Sequence, residues 1–86
     1  MTLQESFESA VSQSKQLASR PDNDTLLQLY SLYKQATDGD ATEDGPSNPF
    51  DFIGKAKHTA WSKLKGTTAD EARQQYIDIV EKLKKP

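Results

Sequence analysis

The sequence predicts an all-α fold, a four-helix bundle with a long crossover loop between the second and third helices. Apolar residues recur every three or four positions in four separate segments, and no segment alternates with a period of two residues. A cluster of turn-forming residues separates the second segment from the third. Because 86 residues leave room for one domain, we expect a single domain over residues 1–86.

The first helix is predicted to begin at a capping box. Thr2 and Glu5 fit the pattern [ST]-x-x-[EQ], in which each side chain binds the backbone N–H of the other residue. Apolar positions then continue at helical spacing as far as Leu17 and Ala18. Pro21 disfavours helix at the residue before it, so we expect the helix to end at about residue 19.

The second helix is predicted to begin with Asp22 as N-cap and to carry two apolar faces. One face contains Leu29, Leu32 and Ala36, and the other contains Leu26, Tyr30 and Tyr33. A short helix of this kind either lies between two partners or presents one face to a ligand. The pattern alone leaves both interpretations open.

The turn formers between residues 37 and 50 predict a loop that crosses from one end of the bundle to the other. A third helix follows from about Asp51, with Gly66 as its expected C-terminal cap. Its inner side is predicted to carry Phe52, Ile53, Ala56, Ala60, Trp61 and Leu64.

The fourth helix is predicted to begin at a second capping box, formed by Thr68 and Glu71. Lysines 82, 84 and 85 lie at its C-terminal end, where positive charge is favourable. Its apolar stripe is predicted to consist of Ala72, Tyr76, Ile79, Val80 and Leu83.

Composition excludes several classes of protein. The net charge of -2 argues against a nucleic-acid binder, because such proteins usually carry a basic excess. The absence of cysteine excludes disulfides and thiolate metal sites, and it favours a reducing compartment for so small a domain. Residues 1–17 contain no apolar run typical of a signal peptide or a membrane span. We therefore expect a cytoplasmic protein without stable membrane insertion.

Candidate catalytic and metal-binding residues are few. His58 is the single histidine, and no serine lies in the context of an activated nucleophile. The segment Asp38-Gly39-Asp40 lacks the spacing and the terminal glutamate of a calcium loop. We expect no enzymatic activity, no metal site and no cofactor.

Tyr30, Tyr33 and Lys34 form the most informative cluster. Their spacing of i, i+3 and i+4 projects all three side chains from one side of a helix. Two phenols beside an ammonium suit a ligand that combines a ring with a phosphate. In the alternative interpretation, the tyrosines belong to the core and only their hydroxyls reach the surface. The spacing of these residues does not distinguish between the two interpretations.

Two sequence blocks carry a resemblance to a known family. Residues 30–40 read YSLYKQATDGD, and residues 51–61 read DFIGKAKHTAW before a following LKG. These blocks, in this order and at this separation, resemble the acyl-CoA-binding protein family, and the similarity extends over essentially the whole chain. The resemblance implies an up-down-down-up bundle that carries medium- to long-chain acyl-CoA non-covalently. It also implies a monomer whose partners are this ligand and, beyond it, acyl-CoA-using enzymes.

The resemblance also implies positions for the ligand. Tyr33, Lys34 and Lys57 would hold the 3′-phosphate of the coenzyme A ribose, with Lys15 nearby. The remaining ligand residues would be Tyr30 and Tyr76 at the nucleotide and pantetheine, and Leu26 and Leu27 beside the acyl chain.

Three features depart from the family pattern. Ile53 stands where a lysine is frequent, His58 stands where tryptophan is usual, and the crossover loop over residues 41–50 is about one residue longer than in many relatives. The main rival interpretation is a helical adaptor whose exposed apolar groove binds a partner helix. An isomerase or hydrolase acting on the thioester is a third class, and it lacks a base or nucleophile in this sequence.

Overall fold

The computed structural model describes residues 2–17, 19–42 and 48–84, and within these ranges it contains helices and no strand. In chain order the helices are α1 (Leu3–Ser14), α2 (Asn23–Asp38), α3 (Phe52–Ser62) and α4 (Ala69–Lys84). The predicted all-α, four-helix class is therefore confirmed. None of these four helices combines the length and the apolar character that a membrane span requires.

The predicted helix starts are confirmed by their capping hydrogen bonds. The Thr2 hydroxyl accepts the N–H of Glu5, and the Glu5 carboxylate accepts the N–H of Thr2, both at 3.1 Å. The Asp22 carboxylate caps α2 by accepting an N–H three residues further on, at 2.8 Å. Before α4, the Thr68 hydroxyl accepts the N–H of Glu71 at 3.1 Å. Such caps form between residues close in sequence, which is why the sequence predicts them well.

Helix α1 ends earlier than predicted, at Ser14. The Ser14 hydroxyl donates to a backbone carbonyl three residues back, at 2.7 Å. The backbone N–H groups of Lys15 and Gln16 also bind carbonyls three residues back, which tightens the chain into a final turn. Leu17 therefore lies outside the helix, and the predicted position Ala18 lies outside the described residues. Serine side chains compete in this way with regular helical bonding.

Helix α3 also ends before the predicted glycine. Its last residue is Ser62, and Gly66 lies at the end of the turns that follow, with φ 92°. This left-handed conformation is open to glycine without steric cost, so Gly66 turns the chain within the connection to α4 and does not cap α3 directly. Lys82 and Lys84 occupy the last turn of α4 as predicted, while Lys85 lies outside the described residues.

The core lies between α1, α2 and α4. Helix α4 packs against both α1 and α2, whereas α3 packs against α2 alone among the described helices. The buried apolar residues are Phe7, Ala10, Leu29, Leu32, Ala36, Ala72, Tyr76 and Val80, with Ile79 and Leu83 packed beside them. The predicted stripe of α4 and the first face of α2 are thus confirmed as core.

The predicted inner side of α3 is wrong at three positions. Phe52 and Ile53 are each 72% exposed, and Ala56 is exposed as well. No residue of α3 is buried. With one neighbouring helix, α3 presents a large part of its apolar surface to an open space beside α2. Periodicity identifies which residues share a face, but it does not identify what covers that face.

A polar network connects the end of α2 to the segments on either side of α3. The Gln35 amide, 1% exposed, donates to the Asp40 carboxylate at 2.7 Å and to the Thr67 carbonyl at 2.8 Å. The same carboxylate oxygen accepts the N–H of Gly66 at 3.0 Å. Because the hydrogen bonds from Gly66 and Gln35 favour the ionised form of the carboxylate, they lower the pKa of Asp40. The Trp61 indole donates to the carbonyl of Gly39 at 2.8 Å.

Candidate functional site

A cavity of about 610 Å³ opens between α2 and α3. Its size is typical of small-molecule binding sites. The lining residues are Arg20, Asn23, Leu26, Leu27, Tyr30, Phe52, Ile53, Ala56 and Lys57, and we call this cavity the α2–α3 trough. Its walls are mainly apolar, and they include three of the side chains that α3 leaves exposed.

The helical spacing of its residues explains the shape of the trough. On α2, Asn23, Leu26, Leu27 and Tyr30 follow one another at intervals of three, one and three residues, which places them along one face. From Asn23 to Tyr30 this face extends for about 10 Å at 1.5 Å per residue. Two residues of the second apolar face predicted for α2, Leu26 and Tyr30, are therefore turned towards the trough, while the third, Tyr33, stacks on Phe7. The first face is turned towards the core.

Lys57 brings a positive charge to the wall of the trough. Its ammonium lies 5.1 Å from the centroid of the Tyr30 ring, within the range of a cation–π interaction. The contact joins α3 to α2 beside the apolar side chains of Leu26 and Leu27. The two predicted ligand residues Tyr30 and Lys57 are thus brought together, where the apolar lining of the trough adjoins the positive charge of Lys57.

Lys34 lies one turn beyond Tyr30 on α2. Its ammonium is 5.1 Å from the centroid of the Trp61 ring and 2.5 Å from the carboxylate of Asp38. The hydrogen bond to Asp38 raises the pKa of Lys34 and lowers that of Asp38. Tyr33, which directly precedes Lys34 in the sequence, is 41% exposed and stacks on Phe7 with 6.0 Å between ring centroids. Both residues reach the surface of α2, as a ligand contact requires.

Tyr76 lies in the core. It is 5% exposed, and its ring packs edge-on against Phe7 with centroids 5.3 Å apart. Its hydroxyl is 3.0 Å from the hydroxyl of Ser14, and burial raises the pKa of the phenol. Because the Ser14 proton is directed at a carbonyl, the Tyr76 hydroxyl is the donor in this pair. The phenol therefore has a structural partner, and Phe7 connects it to Tyr33.

Lys15 is exposed at the end of α1. Within residues 2–17, 19–42 and 48–84 its side chain forms no ion pair and no side-chain hydrogen bond. It is not among the residues that line the trough. The structure therefore groups Leu26, Leu27, Tyr30 and Lys57 around the trough, and Lys15 is not one of its lining residues.

Five lining residues were not predicted as ligand contacts: Arg20, Asn23, Phe52, Ile53 and Ala56. A sequence signal existed for the three on α3, because the second apolar face of α2 needed an apolar partner and α3 follows it in the chain. We find no comparable signal for Arg20 and Asn23, whose place in the trough depends on the path of the chain between α1 and α2.

The side chain of His58 makes contacts within the fold. Its Nε2 donates to the carbonyl of Thr42 at 2.7 Å, and its ring packs edge-on against Trp61 with centroids 6.4 Å apart. The histidine in place of the usual tryptophan thus ties the start of the crossover loop to α3. Among the residues that the structure describes, no group of three histidine or carboxylate side chains is placed to hold a metal ion.

Comparison with known proteins gives a consistent result. The family model described as "Acyl CoA binding protein" matches residues 4–80. An acyl-CoA-binding protein homolog from Caenorhabditis elegans is 48% identical over 83 residues, which cover 96% of this chain and 93% of the relative. An enoyl-CoA delta isomerase 2 from Rattus norvegicus is also 46% identical to this chain, over a region that makes up 20% of the relative. The crystal structure of Oryza sativa Acyl-CoA-Binding Protein 2 superposes with a TM-score of 0.88 at 38% identity, covering 95% of this chain and 90% of that one.

Proposed function

Since this chain belongs to the acyl-CoA-binding protein family, and so binds acyl-CoA as a carrier, we propose that the α2–α3 trough and the adjoining basic residues form its ligand site. The proposal depends on one observation above all: an apolar trough ends beside a lysine that lies over an aromatic ring. An acyl-CoA ester has the same division, with an apolar chain joined to an anionic nucleotide.

The acyl chain is proposed to lie in the trough, between Leu26 and Leu27 of α2 and Phe52 and Ile53 of α3. The two α3 side chains are each 72% exposed, and a ligand that covers them removes apolar surface from water. Each buried methylene contributes about 0.8 kcal/mol before ordering costs. For this reason we infer a preference for medium to long chains over short ones.

The phosphate subsite is proposed to consist of Tyr33, Lys34 and Lys57, with Lys15 nearby. The ring of Tyr30 lies beneath the ammonium of Lys57. A charge-assisted hydrogen bond to a phosphate contributes roughly 1.5–3 kcal/mol. Lys57 is close enough to the apolar wall to connect the two halves of the ligand.

Tyr76 stays a predicted contact for the nucleotide and pantetheine. Since it is 5% exposed, we propose that its main contribution is indirect. Its ring supports Phe7, and Phe7 in turn supports the ring of Tyr33.

The test is a calorimetric titration of the wild type and Lys57→Met with palmitoyl-CoA and with its analogue lacking the 3′-phosphate. Methionine keeps most of the apolar stem and removes the charge. We expect Lys57→Met to weaken palmitoyl-CoA binding by about 10- to 100-fold, and to affect the dephospho analogue far less. Lys82→Met, in the last turn of α4, is the control for net charge. Equal losses for both ligands would contradict the phosphate assignment.

We further propose that the chain acts without catalysis, as a monomeric, single-domain cytoplasmic protein that passes acyl-CoA to enzymes. The chain matches one fifth of the length of the rat isomerase, so this similarity does not extend to the whole of that protein. His58, the single histidine, donates from Nε2 to the Thr42 carbonyl and so has a partner within the fold. Incubation with palmitoyl-CoA and analysis of the intact thioester by mass spectrometry tests this, because turnover would contradict it.

A further inference from the structure

Lys34 differs from Lys57 in one respect that bears on ligand binding. Both ammonium groups lie 5.1 Å from an aromatic centroid, but Lys34 also forms an ion pair with Asp38, one helical turn further along α2. Within the described part of the chain, Lys57 forms no ion pair. One of the two proposed phosphate ligands therefore already has an anionic partner inside the protein.

The position of Asp38 gives the helix little benefit. Asp38 is the last residue of α2, and a carboxylate at a helix C-terminus meets the negative end of the helix dipole. The side chains of Lys34 and Asp38 are 28% and 49% exposed, and ion pairs with this exposure contribute little to stability. Stability alone thus does not account for a carboxylate at this place.

We propose that Asp38 sets the affinity of the acyl-CoA site by competing with the ligand phosphate for Lys34. The inference rests on the proposed function, in which Lys34 is a phosphate ligand. An ammonium has three donors and can bind two anions at once, but a phosphate on Lys34 would then lie within a few ångströms of the Asp38 carboxylate. A phosphate monoester carries a charge between about −1.5 and −2 at neutral pH, so the two groups repel each other.

This competition has two consequences. The free protein holds Lys34 against Asp38, and ligand binding must weaken or share that ion pair. Asp38 also reduces the advantage that a ligand with a 3′-phosphate has over one without it, because the repulsion acts on that phosphate. Asp38 is therefore a specificity-determining residue that acts through Lys34.

The experiment is a calorimetric titration of Asp38→Asn with palmitoyl-CoA and with palmitoyl-dephospho-CoA at low salt. Asparagine keeps the size of the side chain and removes its charge. We expect Asp38→Asn to bind palmitoyl-CoA about 3- to 10-fold more tightly than the wild type, with little change for the dephospho ligand. The matched control is Glu81→Gln, which removes a carboxylate from the exposed Lys84–Glu81 pair of α4 and should leave both affinities unchanged.

Lys34→Met separates this inference from the proposed function. We expect this variant to bind palmitoyl-CoA at least 10-fold more weakly, and the gain from Asp38→Asn to disappear in the double variant. If Lys34→Met weakens binding but Asp38→Asn does not strengthen it, the competition is overturned and the phosphate assignment stands. If Lys34→Met binds as tightly as the wild type, the assignment of Lys34 is overturned together with the competition. Thermal melts accompany each titration, and Asp38→Asn should melt no lower than the wild type.

Discussion

The substitution Tyr76→Phe tests most sharply what the structure adds to the sequence. The family resemblance implies that Tyr76 contacts the ligand, whereas the structure buries its ring and directs its hydroxyl at Ser14, 3.0 Å away. Phenylalanine keeps the ring and its edge-on contact with Phe7, and it removes only the hydroxyl. The variant therefore asks whether that hydroxyl acts in the fold or at the ligand.

The expected loss of stability follows from the hydrogen bonds around the hydroxyl. A neutral hydrogen bond contributes about 0.5–1.5 kcal/mol net. Ser14 keeps its bond to the Val11 carbonyl at 2.7 Å in the variant, so no buried donor is left without a partner. This places the loss at the lower end of the range, about 0.5–1 kcal/mol. For a domain of this size, the melting temperature should fall by about 2–8 °C.

Urea denaturation followed by circular dichroism measures this loss, and an unchanged slope would indicate that the unfolding transition itself is the same. Ser14→Ala and the double variant complete a thermodynamic cycle, whose coupling energy should match the loss in Tyr76→Phe. We expect the affinity for palmitoyl-CoA to stay within about threefold of the wild type, because the hydroxyl lies in the core.

The opposite pattern would assign the Tyr76 hydroxyl to the ligand. If Tyr76→Phe kept full stability and lost tenfold or more in affinity for palmitoyl-CoA, the hydroxyl would belong to the ligand site. Its contact with Ser14 would then contribute nothing to the stability of the fold. A lack of coupling with Ser14→Ala would lead to the same conclusion.

Three further predictions concern pH and the trough. Because burial raises the pKa of Tyr76 above 10.0, its protonated form stabilises the fold below pH 10, and this stabilisation is lost as the pH rises through the raised pKa. Because hydrogen bonds from Gly66 and Gln35 lower the pKa of Asp40 below 3.8, its ionised form stabilises the fold above that pH, and acid removes the effect. Ile53→Ala should weaken palmitoyl-CoA binding by about three- to tenfold through lost apolar contact. Its melting temperature should barely change, since Ile53 is 72% exposed.

Each of these has a matched control. Urea denaturation across pH measures the first two effects. Tyr76→Phe should reduce the loss of stability at alkaline pH, and Asp40→Asn should reduce the loss at acid pH. If the stability of either variant depends on pH as that of the wild type does, the substituted residue is not the cause. For Ile53→Ala, the comparison ligand is free coenzyme A. A similar loss for coenzyme A would mean that Ile53 contacts the head group and not the acyl chain.

The sequence predicts those parts of the fold that depend on neighbouring residues. The capping box at Thr2 and the N-cap bonds at Asp22 and Thr68 are confirmed, because each joins residues three positions apart. At Thr68 the Glu71 carboxylate accepts the threonine hydroxyl, which is a different bond from the predicted one to the backbone N–H. The early end of α1 was missed, because the apolar pattern continues to Leu17 while the serine hydroxyl at Ser14 favours a tight turn. Apolar periodicity carries no information on such local competition.

The candidate site is a harder case, because an apolar face can be covered by protein or by a ligand. The same pattern that placed Leu29 correctly in the core placed Phe52 and Ile53 there wrongly. The resemblance assigned Tyr30 and Lys57 to different parts of the ligand, and the structure places the Lys57 ammonium 5.1 Å from the centroid of the Tyr30 ring. Their roles as ligand contacts stay predictions. The pairing of Lys34 with Asp38 was not predicted, although their i, i+4 spacing permits it.

The most direct test of the ligand site is a calorimetric titration of the wild type with palmitoyl-CoA, octanoyl-CoA and free coenzyme A. We expect a single site whose affinity rises from coenzyme A to octanoyl-CoA and again to palmitoyl-CoA, with eight added methylenes raising it by at least 100-fold between the two esters. Equal affinities for coenzyme A and palmitoyl-CoA would contradict the role of the trough. An absence of binding by a protein with a helical circular dichroism spectrum would contradict the site as a whole and favour a groove for a partner helix.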